Sequence, residues 1–130
     1  MTSASSDDAR PFFSVEDEEV DPTTHIVDVA GEVDLYSAPE LKMHVLDAID
    51  SGKTRIVVDL TRTTFIDSTT LGVLVGARKR LRAYDGALAV VCPDPDKLGL
   101  FEMTGLDRVF SIHNDRTAAL AAVQSGAAPN

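Results

Sequence analysis

The chain carries one cysteine and no tryptophan in 130 residues. A lone thiol, Cys92, excludes an intrachain disulfide and any metal site built from several cysteines. Its neighbours Val90 and Val91 place it at a buried strand end, where a thiol is inert; a reactive thiol is the alternative. No apolar run is long enough to span a bilayer, and the start shows no signal-peptide pattern. The cytoplasm is the expected location, with no membrane contact. Histidine is scarce too: His25, His44 and His113 lack metal-ligand spacing and read as surface or strand-end residues. There is no Gly-x-Ser-x-Gly elbow, no glycine pair for an oxyanion hole and no evident histidine partner for a serine, which argues against a hydrolase. Bases are few, with 12 Lys and Arg against 21 Asp and Glu and a net charge of −9. Phosphate-backbone binding needs a basic face, so no nucleic-acid partner is expected.

What is present is an ordinary globular composition, 44% apolar and 25% charged, on a length that suits one domain. The acidity is uneven. Residues 1–21 hold seven acids and one base, a balance of −6, and residues 22–130 hold fourteen acids and eleven bases, a balance of −3.

Residues 1–10 are small and polar and read as a flexible head, and residues 125–130 read as a flexible tail, leaving 11–124 as the domain. Pro11 to Val15 suits a short edge strand, Glu16 to Pro22 an acidic turn, and Thr24 to Gly31 a second strand, together a hairpin. Ser37-Ala38-Pro39-Glu40 has capping-box spacing with proline in the first turn. Leu41, Val45, Ala48 and Ile49 follow with helical period, ending before Gly52. Arg55 to Leu60 is a near-continuous apolar run, the pattern of a buried parallel strand. A second helix is expected over 68–84, with Leu71, Leu74, Val75 and Leu81 inward and Gly72 and Gly76 allowing close packing on the sheet. Its basic run Arg78-Lys79-Arg80-Leu81-Arg82 complements the helix dipole or forms a docking patch. Ala87 to Cys92 is another buried strand, Asp94-Pro95 opens a short helix closed by Gly105, Val109 to Ile112 is a short strand, and Asn114 or Asp115 caps a last helix through Val123. Met43 and Phe101 read as core. The alternation predicts a single α/β domain with a mixed, mainly parallel central sheet of four to five strands and about four helices.

The chemistry concentrates at Phe65-Ile66-Asp67-Ser68-Thr69-Thr70-Leu71-Gly72. Three hydroxyls and a carboxylate sit where a helix begins, beside unpaired N–H groups and a partial positive charge that can hold a capping group or a phosphate. Ser68 is the cap, or Asp67 is and Ser68 is an exposed first-turn hydroxyl. With no base nearby, the pattern suits a modified residue and not a catalytic one. Asp34, in Gly31-Glu32-Val33-Asp34-Leu35-Tyr36-Ser37, reads as a turn or capping aspartate.

Gly31-Glu32-Val33-Asp34 with Ser37-Ala38-Pro39-Glu40-Leu41, Phe65 to Gly72, and Thr104-Gly105-Leu106 with Val109-Phe110 together resemble the STAS-domain anti-sigma factor antagonists of bacteria. The resemblance covers roughly residues 12–124. It implies a partner-switching regulator with no enzymatic activity and no cofactor. The unphosphorylated form binds an anti-sigma factor that is also a histidine-kinase-like serine kinase, and a sigma factor is freed. Carried over by position, Ser68 is the phosphoacceptor, with Thr69 a possible secondary site, and Asp34, Asp67, Ser68, Thr69, Thr70 and Gly72 form the docking surface. A metal-dependent serine phosphatase restores binding. The protein itself is expected to be a monomer or weak dimer. Thr70 stands where the family has glycine, and its bulk is expected where the kinase approaches.

Three other readings remain at this level. A phosphoacceptor receiver domain would use Asp59, but lacks the acidic pair and the late lysine. A small hydrolase would use Ser68. A stand-alone STAS module would bind a nucleotide or anion.

Overall fold

The computed structural model describes residues 12–125. Among them five strands, β1 (Phe13–Asp21), β2 (Thr24–Val33), β3 (Arg55–Ile66), β4 (Ala87–Val91) and β5 (Ser111–His113), form one sheet in the order β1-β2-β3-β4-β5. β1 runs antiparallel to β2, and every other pairing is parallel. Parallel neighbours need crossovers. These are α1 (Ala38–Asp50), α2 (Ser68–Arg82) and α3 (Pro95–Met103), the last followed by a 3₁₀ turn at Leu106–Arg108, and α4 (Arg116–Gln124) ends the fold. This is the mixed, mainly parallel architecture that the alternation predicts. The expected head, 1–10, lies outside the described residues, as does the expected tail apart from Ser125, which ends α4.

Two apolar layers hold the sheet. Leu41, Val45 and Ile49 of α1 and Leu71, Leu74 and Leu81 of α2 pack with Val29, Val58 and Val90 on one face. Phe101 of α3 joins them and meets Phe110 edge-on, ring centroids 6.1 Å apart. On the other face α4 sets Ala119 and Val123 against Ile26, Val57, Ala89 and Val91.

Several expectations need correction. The acidic stretch 16–21 is strand and not turn, and the reversal is confined to Pro22 and Thr23. The strand survives its charge because each face finds partners. Asp17 meets His25 at 2.8 Å and His44 at 2.5 Å, Glu19 meets Lys53 at 3.0 Å, Glu16 meets Arg62 at 3.2 Å, and Glu18 meets Arg116 at 3.3 Å. Charges along an edge strand also discourage pairing with another chain. β3 runs six residues past the expected Leu60, paired there with β2 alone. Val75, placed inward by sequence, is exposed because it is turned about 100° from Leu74 around the helix. Met43, expected in the core, lies on the outer face of α1 and is exposed, whereas Phe101 is fully buried. A Cβ added at Gly72 or Gly76 would meet nothing within 4 Å, so neither glycine packs on the sheet. β5 begins at Ser111 and not Val109, since the backbone N–H groups of Val109 and Phe110 donate to Leu106 at 3.0 Å and 3.0 Å and close the 3₁₀ turn. Gly31 is a glycine that the fold demands. Its φ is +87°, and a Cβ there would lie 2.0 Å from the Phe12 carbonyl oxygen.

Candidate functional site

The parallel pairing of β2 and β3 sets Val33 opposite Ile66. The next residue after each strand is an aspartate, Asp34 and Asp67, at the same end of the sheet, and Asp34 opens a loop. Beyond Asp67 the chain turns directly into α2.

Asp67 is the cap of α2. Its backbone is extended (φ −139°, ψ −169°), and Oδ1 accepts from the Thr69 N–H at 2.9 Å and from the Thr69 hydroxyl. Its carbonyl oxygen accepts from the N–H groups of Thr70 and Leu71 at 3.0 Å and 3.3 Å. The choice between Ser68 and Asp67 as cap is therefore settled for Asp67. Ser68 is the first helical residue, it is exposed, and its hydroxyl makes no hydrogen bond among the described residues.

Thr69 is half-buried with its hydroxyl committed to Asp67, and Thr70 is 0% exposed. The Thr70 hydroxyl donates to the Val33 carbonyl at 3.2 Å and accepts from the Asp67 N–H at 3.3 Å. This corrects the expected docking role of Thr70. Its bulk points into the molecule and ties the start of α2 to the end of β2, so it presents nothing to a partner. Gly72 is exposed, one helical turn beyond Ser68.

Asp34 braces its own loop. Oδ1 accepts from the N–H groups of Tyr36 at 2.9 Å and Ser37 at 3.1 Å. These bonds, the Ser37 N–H first, hold its carboxyl below the usual aspartate value of 3.8. The Ser37 hydroxyl donates to the Glu32 carbonyl at 2.9 Å and accepts from the Asp34 N–H at 2.9 Å. It is thereby diverted from the expected capping box of α1, and no side chain caps that helix. The brace leaves Leu35 65% and Tyr36 86% exposed, and Phe65 on β3 is 45% exposed at the same end. Sequence reasoning passed over these three apolar side chains. The available signal was two large apolar residues in a turn, outside any helical or strand period.

None of the three histidines is paired with Ser68. His25 and His44 are held on Asp17, and His113 Nε2 lies 2.6 Å from the Ser111 hydroxyl. Asp59, the residue a receiver domain would use, is 5% exposed and is gripped by Arg116 through Nε at 3.0 Å and Nη2 at 2.9 Å. Among the described residues no group of three or more His, Cys, Asp or Glu is placed to hold a metal ion, and no helix is long and apolar enough to cross a membrane. The first turn of α2 offers fewer open donors than the sequence suggests, because Asp67 already takes the N–H groups of Thr69, Thr70 and Leu71.

Residues 15–119 match the model of the STAS domain. The anti-sigma-B factor antagonist of Listeria monocytogenes is 41% identical over 105 residues, 78% of this chain and 90% of the relative. That of Staphylococcus aureus is 36% identical over 88 residues, 67% of this chain and 81% of the relative. Among solved structures, an anti-sigma factor antagonist from Mycobacterium paratuberculosis superposes with a TM-score of 0.74 at 25% identity, covering 87% of this chain and 95% of that one. The unphosphorylated antagonist SpoIIAA shares the fold, with a TM-score of 0.69 at 20% identity over 85% of this chain and 98% of that one. The chain belongs to the STAS-domain family of anti-sigma factor antagonists.

Proposed function

We propose that this protein, in its unphosphorylated form, binds an anti-sigma factor that is also a histidine-kinase-like serine kinase, and so releases a sigma factor for transcription. Phosphorylation of Ser68 ends the interaction, and a metal-dependent serine phosphatase restores it. The protein is a binding partner and a phosphate acceptor and performs no catalysis itself.

The observation that carries this reading is the contrast among three adjacent hydroxyls. Ser68 is exposed and unbonded among the described residues, Thr69 is committed to Asp67, and Thr70 is buried against Val33. One acceptor is thus offered to a kinase, and Thr69 is a poor secondary site. The exposed Leu35, Tyr36 and Phe65 supply apolar area at the same end of the sheet. A phosphate adds about −1.5 to −2 charge at neutral pH. On Ser68 it would stand next to the Asp67 carboxylate on a surface where a partner must desolvate it, so the charge acts on the interface.

The test is recovery of the partner with Ser68→Ala and Ser68→Asp proteins side by side, followed by in vitro phosphorylation of the wild type and mass-spectrometric mapping. The reading expects a serine kinase bound to Ser68→Ala, none on Ser68→Asp, and phosphate on Ser68. Phosphate confined to Thr69 or another residue refutes the site, and equal recovery by both variants refutes the switch.

A further inference from the structure

Helices α1 and α2 lie side by side on one face of the sheet, and an open groove of about 610 Å³ runs between them. It starts at Leu35 and Thr69, beside Ser68, and extends along α2 to Arg80. The eleven steps from Thr69 to Arg80, at about 1.5 Å each, make that about 16 Å, the length of three helical turns. Val45, Leu46, Val73 and Ala77 supply apolar lining. Gly72 and Gly76 leave the α2 backbone open, since a Cβ at either meets nothing within 4 Å.

The charge of the groove is opposite to that of the protein. The chain is −9 overall, yet two cations, Lys42 and Arg80, line the groove and no carboxylate does among the described residues. Arg80 is engaged by Asp50 at 2.6 Å, while Lys42 has no ion-pair partner among the described residues. An apolar trough of helical length, with an open cation on one rim, matches an amphipathic helix that carries apolar residues at i, i+3 or i+4, and i+7 and a carboxylate on its flank. A lipid chain suits it less, because the trough is open along its length.

Resting on the antagonist reading above, we infer that the α1–α2 groove seats an acidic amphipathic helix of the anti-sigma factor, so that the contact extends from Ser68 along both helices. Specificity for one anti-sigma factor over another then lies in the groove, and the on–off switch lies at Ser68. The partner carboxylate pairs with Lys42, and its apolar side chains lie over Val73 and the bare backbone of Gly76.

The probe is the purified kinase that phosphorylates Ser68, titrated calorimetrically with wild-type protein, Gly76→Leu, Lys42→Glu, Lys79→Glu and Ser68→Asp. A Cβ at Gly76 meets nothing within 4 Å, so Gly76→Leu enters the groove without a clash at its base and replaces a poor helix former; it should melt at or above the wild-type temperature. Gly76→Leu and Lys42→Glu are each expected to weaken binding tenfold or more, while Lys79→Glu, exposed on the same helix outside the groove, stays within threefold. Wild-type affinity in both groove variants, with Ser68→Asp defective, overturns the groove and leaves the switch standing. Full binding by Ser68→Asp refutes the switch whatever the groove variants do. Equal losses in Lys42→Glu and Lys79→Glu with none in Gly76→Leu would show diffuse electrostatic attraction and also overturn the groove.

Discussion

Replacing Thr70 tests whether the start of α2 is held from inside. Its hydroxyl bridges the Val33 carbonyl at 3.2 Å and the Asp67 N–H at 3.3 Å, and the side chain is 0% exposed. Thr70→Val keeps the shape and removes the bridge, leaving buried polar groups short of a partner, which costs about 1–3 kcal/mol. Thr70→Ser keeps the bridge and loses one methyl, about 1 kcal/mol. Thr70→Gly loses both and adds a helix-propensity deficit of about 0.3–0.5 kcal/mol, for a total of about 2–4 kcal/mol. That is a large part of the ~5–15 kcal/mol that holds a domain folded. For a domain of this size it lowers the melting temperature by roughly 7–15 °C. Urea midpoints at constant slope, supported by thermal melts, give the order wild type, Ser, Val, Gly. A Val variant as stable as wild type refutes the bridge, and a Ser variant as weak as Gly shows that packing alone matters. The inward side chain also means that Thr70→Gly opens no room for a kinase. Initial phosphorylation rates, measured well below both melting temperatures, should match, and a severalfold rise would place Thr70 on the interface after all.

Three further outcomes follow from the same geometry. Asp67→Ala removes the carboxylate that caps α2 and should cost about 1 kcal/mol in chemical denaturation; Asp67→Asn, which keeps an acceptor, should recover most of it, and equal losses would show that the cap is not the cause. Asp34 has a carboxyl pKa lowered from 3.8 by the N–H groups of Ser37 and Tyr36, so its contribution to stability is present above about that pH and is lost as pH falls through the lower folded value. The gap in melting temperature between wild type and Asp34→Asn should be constant near neutrality and close below pH 3.8; a gap that persists there argues against the loop brace. Ser68→Asp should change stability by less than about 1 kcal/mol, because a charge at the helix start is worth 0.3–1 kcal/mol and the neighbouring Asp67 carboxylate opposes it; a severe loss in the melt would mean that the switch works by unfolding.

The order of elements and the position of Ser68 were legible in the sequence for local reasons. The apolar run from Ile56 to Leu60, the period of Leu41, Val45 and Ile49, and the aspartates before α2, α3 and α4 are short-range signals whose physics hardly depends on the rest of the chain. The length of β1 was not legible, because five acids among the six residues from Glu16 to Asp21 read as turn until Arg62, Arg116, Lys53 and two histidines arrive from distant elements to pair with four of them. The fate of three adjacent hydroxyls was hidden for the same reason. Composition makes Ser68, Thr69 and Thr70 alike, and only the pairing of Val33 with Ile66 brings the carbonyl that claims Thr70 up to the start of α2. Exposure of Leu35 and Tyr36 and the groove beside α2 likewise arise from the packing of helices on a sheet. The sequence by itself determined which residues bear chemistry and which helix they begin; the tertiary structure decided which of those groups faces outward, because burial and hydrogen bonding are settled between segments far apart in the chain.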